Sequence, residues 1–362
     1  MSDLTANFTA EASEKCFHSR YFEDYSVGDE IVHSVPRTIT EGDAAIYMAL
    51  TGSRFALHSS DEYACEMGYA RAPIDDILTF HMVFGRTVPD ISLNAVANLG
   101  YASVTFGVPV YAGDTVNAKS TVIGVKENSN RRTGTVYVHS TGWNQKGEVA
   151  LDYIRWVMMR KKDETSPAPE AVVPSDLPDH VAVDGLHIPK GLDVSKWDGE
   201  VTGSDALFED YDVGERIHHL DGQTIEEAEH QMATRLYQNN ARVHFNQHVE
   251  NQGRFGRRIV YGGYIISLVR AISCNGLANA FRVAAINSGR HAAPSFAGNT
   301  IYAWSEILDR MDIPGRGDVG ALRLRTMASK DDQEARYPDR NSKKFPENIV
   351  LDLDYTVLIP RR

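Results

Sequence analysis

The sequence has little cysteine, no long apolar run and no excess of positive charge. Its three cysteines, Cys16, Cys65 and Cys274, lie far apart and form no metal-ligand spacing. Such usage excludes a disulfide framework and points to a reduced, cytoplasmic setting. No stretch approaches the roughly 18 apolar residues of a membrane span. The opening residues carry neither a basic start nor an apolar core, so no secretory signal is read there. Lysine and arginine total 37 against 49 acidic residues, a formal charge of −12. General nucleic-acid binding needs a basic footprint, and an anionic ligand here would need a local basic patch instead.

What is present is a duplication. Phe22-Glu23-Asp24-Tyr25 with Val27-Gly28 recurs as Phe208-Glu209-Asp210-Tyr211 with Val213-Gly214, an offset of 186 residues. Thr38-Ile39 and His58 recur at the same offset as Thr224-Ile225 and His244. Pro109, Gly113 and Thr115 match Pro294, Gly298 and Thr300 at 185. A period this long, seen twice, means two copies of a domain rather than a solenoid. The expected division is a flexible leader over 1–20, a first domain over 21–162, a linker over 163–204 and a second domain over 205–362. The linker holds Pro167, Pro169, Pro174, Pro178 and Pro189, five of the 14 prolines, and reads as extended chain over a domain surface.

Each copy reads as helices followed by strands. Thr40 with Asp43 three residues on makes a helix start, and a longer helix is expected over 75–87. Alternating β-branched and aromatic runs over 93–106, 114–127, 133–144 and 149–160 predict four antiparallel strands. The second copy repeats the order, with helices near 226–237 and from 263, then strands over 281–288, 300–308, 322–328 and 349–359. The polar, charge-mixed stretch before the last of these reads as a loop insertion. The class is α+β, a curved antiparallel sheet wrapped round one long helix in each copy.

The chemistry concentrates where a polar loop holding Asn239, Asn240, Arg242 and His244 leads through Arg257 and Arg258 to Gly262-Gly263, at the head of an apolar helix. Exposed amides and the positive end of the helix dipole suit an anion or a developing oxyanion. The first copy has Asp75-Asp76-Ile77 in that place, with capping as the plain alternative.

The run from Tyr47 through Leu50-Thr51-Gly52-Ser53-Arg54-Phe55-Ala56-Leu57-His58 to Ala64 resembles the motif of the MaoC-like, (R)-specific enoyl-CoA hydratase family of the hot-dog fold. Phe255 to Gly262 resembles that family's approach to its central helix. MALTGSRFALHSSDEYA, ATRLYQNNARVHFNQH, FGRRIVYGG and LDLDYTVLIPRR are similar to runs of its mesaconyl-CoA hydratase (β-methylmalyl-CoA dehydratase) branch. The resemblance spans 22–160 and 208–360. It implies a double hot-dog fold, a CoA thioester substrate, reversible hydration of an enoyl-CoA in glyoxylate assimilation, and no metal or other cofactor. The family's Asp, five residues before the motif histidine, is Ser53 in one copy and Asn239 in the other. Its Asn, three before, is Phe55 and Ala241.

The expected catalytic set is therefore His244, with Asn239 to position water, Gly262 at the oxyanion and His58 as the rival centre. The expected substrate-binding set is Asn240, Arg242, Arg257, Arg258, Gly263, Arg290 and Arg54, one of the arginines reading a substrate carboxylate. Two other readings stay open, a hot-dog thioesterase using Asp75 or Asp76 and a non-catalytic acyl-CoA binding module. Whether copies of the fused chain form a homo-oligomer is left open too.

Overall fold

The computed structural model describes Lys15, 19–336, 338–339, Ser342 and 344–362; most of the leader lies outside these residues. The first half runs β1 (Glu30–Val32), β2 (Arg37–Thr38), α1 (Glu41–Thr51), α2 (Ala56–Ser59), α3 (Asp61–Glu66), α4 (Asp76–Ile91), β3 (Ala95–Phe106), β4 (Thr115–Glu127), β5 (Thr133–Trp143) and β6 (Val149–Arg160). After α5 (Gly199–Thr202), the second half repeats the series. It runs β7 (Arg216–His218), β8 (Gln223–Thr224), α6 (Glu227–Leu236), α7 (Arg242–Phe245), α8 (Gln247–Glu250), α9 (Gly262–Ile272), α10 (Cys274–Leu277), β9 (Arg282–His291), β10 (Thr300–Asp312), β11 (Val319–Lys330) and β12 (Ile349–Pro360).

Local chemistry sets these bounds. Thr40 accepts the Asp43 amide at 3.2 Å while the Asp43 carboxylate takes the Thr40 amide at 2.8 Å, a reciprocal cap on α1. The long helix outruns its expected end at 87, continuing past Pro89 to Ile91. A proline in the last turn removes one backbone bond, while Val88 and Ile91 remain fully buried there. The second-half strands are likewise longer than their alternation shows. β11 is buried from Val319 to Ser329, and a strand covered on both faces loses its period-two signature.

The strands form one antiparallel sheet in the order β1-β4-β5-β6-β3-β9-β12-β11-β10-β7, with β2 beside β4 and β8 beside β10. The two halves mirror each other about the β3–β9 junction, where Tyr101 pairs with Gly289 and Thr105 with Ala285. This is the double hot dog, with α4 and α9 as the central helices. All of α4 from Asp76 to Val88 is buried, since the sheet covers one side and the other half covers the next. At the axis relating the halves, His81 of α4 meets Ser267 of α9, its own counterpart 186 residues on, through Nε2 and Oγ at 3.0 Å. Duplicated polar detail survives in both halves. His33 bonds Ser120 at 2.8 Å, and its counterpart His219 bonds Ser305 at 2.7 Å.

The segment between β6 and β7 packs across both halves. Val181, Leu186, Leu192 and Val194 are buried against Tyr63, Met67, Tyr69 and Phe281, and the Asp193 amide donates to the Met67 carbonyl at 3.1 Å. No helix among the described residues is long and apolar enough to cross a membrane.

Two outcomes follow from the core. Asp76 accepts the Val283 amide across the junction at 2.9 Å and faces Arg282 at 3.8 Å. Asp76→Ala strands a buried guanidinium and a buried amide, so chemical denaturation should show a loss of about 3 kcal/mol. Burial holds His81 down to about 3 and His219 to about 4 from an ordinary 6.5. The unfolded chain then binds protons below pH 6.5 that the folded chain refuses. Stability is full above that pH and falls toward pH 4, with His81 alone costing about 2 kcal/mol by pH 5. The urea midpoint should track that window, and His81→Asn should flatten part of it.

Candidate active site

The motif histidines of the two halves are held in the same way. His58 on α2 bonds the Pro73 carbonyl through Nδ1 at 3.0 Å, and His244 on α7 bonds the Ile259 carbonyl through Nδ1 at 2.9 Å. A carbonyl only accepts, so Nδ1 carries a proton in each ring and Nε2 is the nitrogen left to face a partner. In the first half this nitrogen faces the helix start, 3.9 Å from the Asp76 carboxylate. Burial pushes His244 down to about 4, which keeps it neutral at pH 7 and able to accept a proton.

The helix starts differ between the halves. In the first, Asp75 caps α4 by accepting the Ile77 amide at 2.8 Å. Asp76 fills the space before His58 and reaches across to Val283 and Arg282. Burial pushes its carboxyl up, with Arg282 and His58 pulling it the other way. The side chains of His58 and Asp76 are only 8% and 9% exposed, and Tyr69, just after α3, and His187, from the packed segment, stand beside Arg282. This is a closed tie between halves. Both carboxylates are engaged, which leaves neither placed for thioester hydrolysis.

In the second half, Gly262 and Gly263 stand where Asp76 and Ile77 stand in the first. No side chain among the described residues caps α9, so the Gly263 amide, unlike that of Ile77, keeps its donor for a ligand. Both glycines are required by close neighbours. A Cβ on Gly262 would lie 2.6 Å from the His291 ring, and one on Gly263 would lie 2.5 Å from the His81 ring. His244 faces Tyr261, ring centres 5.5 Å apart.

Beside this loop opens a cavity of about 570 Å³ whose wall includes Gly85, Arg86, Asn239, Asn240 and Phe245. Asn239 is buried, and its Oδ1 accepts the Ala241 amide at 3.2 Å; Asn240 is exposed. Arg86, buried at 6% exposure, donates to the Val35 carbonyl at 2.8 Å and to Gln238. Among the described residues it meets no carboxylate. Asp90, in the same wall, is held by His33 at 2.7 Å. Burial and the charge of Arg37 lower Arg86 to about 10.

The structure thus joins His244, Gly262 and Gly263 at one helix start, with Asn239 and Asn240 in the adjoining cavity. The expected arginines are dispersed. Arg258 is tied to Glu227 at 2.6 Å, Arg257 lies over the Phe296 ring at 4.0 Å and Arg290 over Phe345 at 4.8 Å. Arg242 and Arg54 are exposed, and Arg54 stands with Cys274. Sequence reasoning missed His291, His81 and Arg86. Their counterparts in the repeat are Phe106, Ser267 and Ile272, so the duplication flags none of them. Among the described residues no three metal-binding side chains cluster.

Comparison with known proteins gives the family. The mesaconyl-CoA hydratase family profile matches residues 5–344. The chain is 61% identical to a β-methylmalyl-CoA dehydratase of Chloroflexus aurantiacus, over 97% of this chain and 99% of that protein. It is 51% identical to a mesaconyl-CoA hydratase of Cereibacter sphaeroides, over 94% and 98%. Among solved structures, a MaoC domain dehydratase from Chloroflexus aurantiacus superposes with a TM-score of 0.94 at 61% identity, covering 97% of this chain and 100% of that one. A double-hotdog protein of Mycobacterium tuberculosis shares the fold, with a TM-score of 0.77 at 23% identity over 95% and 99%. The chain belongs to the mesaconyl-CoA hydratase family.

Proposed function

We propose that the protein is a hydro-lyase that reversibly hydrates mesaconyl-CoA to β-methylmalyl-CoA, reacting in its second half. One observation carries the choice of half. There a neutral motif histidine faces an uncapped, glycine-built helix start, whereas in the first half two carboxylates occupy that start. Hydration breaks the π bond, forms a C–O bond at Cβ and a C–H bond at Cα, and needs no oxidant. His244 takes a proton from water through Nε2 and returns it to Cα. The amides of Gly262 and Gly263 hold the negative charge that gathers on the thioester oxygen, where an oriented donor acts most strongly.

The acyl group carries a second carboxylate, and Arg86 supports its recognition. A buried guanidinium without a carboxylate partner is a matched site for one.

Three measurements test this reading. The purified protein should consume mesaconyl-CoA with loss of the conjugated thioester absorbance, and hydrate crotonyl-CoA, which lacks the carboxylate, far more slowly. Equal rates on both would show that the carboxylate is not read. His244→Ala should lower kcat by about 100- to 10,000-fold, while His58→Ala should lower stability more than rate. The reverse order, with both proteins folded, would place the reacting centre in the first half.

A further inference from the structure

His291 ends β9, with its ring edge-on to Tyr101 of the other half at 6.0 Å. A Cβ on Gly262 would stand 2.6 Å from both its Nδ1 and its Cε1, well inside the 3.5–4.0 Å of ordinary contact. The imidazole therefore fills the volume that a side chain at 262 would take. In the first half that position carries Asp76, whose carboxylate faces the motif histidine at 3.9 Å. The second half has thus exchanged a carboxylate on the helix for an imidazole delivered by the sheet.

We propose that His291 holds the attacking water together with His244, accepting one of its hydrogens at Nδ1 while His244 Nε2 receives the other. The inference rests on the hydration reading above and adds to it a positioning residue. A single histidine leaves the second hydrogen of the water undirected. The residue at the family's carboxylate position is Asn239, whose neutral amide oxygen receives the Ala241 amide at 3.2 Å and is a weaker acceptor than the carboxylate it replaces. Burial lowers His291 to about 4, so it is neutral at pH 7. In its Nε2–H tautomer it offers Nδ1 as an acceptor. Its Nε2 is buried with no partner among the described residues, which leaves Nδ1 as the ring nitrogen beside Gly262 at the helix start.

The step balances without a further reactant. Water gives its proton to His244 and its oxygen to Cβ, His244 returns the proton to Cα, and His291 ends neutral as it began. A role in placing water, rather than in binding the thioester, appears in kcat and not in affinity.

The test compares His291→Phe, which fills the ring's volume but accepts nothing, with His291→Gln, whose amide oxygen can accept. Rates are measured on mesaconyl-CoA, and binding on its unreactive saturated analogue methylsuccinyl-CoA. The expected result is a loss of about 100-fold in kcat for Phe, with KM and analogue binding within about threefold of the parent, and recovery of about tenfold for Gln. A Phe variant with parental kcat overturns the proposal. So does an equal loss in both variants accompanied by weakened analogue binding, which marks a packing role. A parent protein that binds the analogue but hydrates no enoyl-CoA overturns the hydration reading itself, and this inference with it. An active parent insensitive to His291 overturns this inference alone.

Discussion

The pairing of β3 with β9 is the constraint from which the rest of the architecture follows. Each half alone would expose an edge strand and one face of a central helix, neither of which is stable in water. Joining the two edges makes one continuous sheet and sets α4 against α9 across an axis marked by the His81–Ser267 contact. It also delivers residues of one half to the helix start of the other. Arg282 and the Val283 amide, on β9, reach Asp76 of α4. Each potential site is therefore a product of the junction.

The two sites have diverged along different physical routes. In the first half, two carboxylates, a histidine and an arginine satisfy one another in a buried cluster. Such a cluster is costly to disturb and has little left to offer a ligand. In the second half, loss of side chains at 262 and 263 leaves helix amides uncapped and makes room for two imidazoles. Burial keeps those imidazoles neutral, the form in which they accept protons. Duplication permits such divergence, because a buried ionic cluster in one copy leaves the equivalent place in the other free to change.

Much of this was legible in the chain. The offset of 186 residues, the cap at Thr40, the strands after each central helix and the motif around His58 and His244 are local patterns. Local patterns survive as one-dimensional signals. Where the reading fell short, the cause is specific. The expected end of α4 stopped before a proline that buried neighbours carry through. β11 extends beyond its visible alternation because both faces are covered. Arginines expected to bind substrate proved to be engaged with Glu227, Phe296 and Phe345.

The sequence by itself determined that the molecule is a doubled α+β unit, that each copy carries a motif histidine before a helix, and that only the second helix opens on glycines. Those facts depend on composition, spacing and internal comparison. Only the tertiary structure decided that Asp76 is tied across the junction, that the segment between the halves packs over the first site, and that His291 stands at Gly262. These are contacts between residues far apart in the chain, at positions where the two copies do not match. Neither periodicity nor repeat offset carries information about such contacts, because they are fixed by how two folded halves meet.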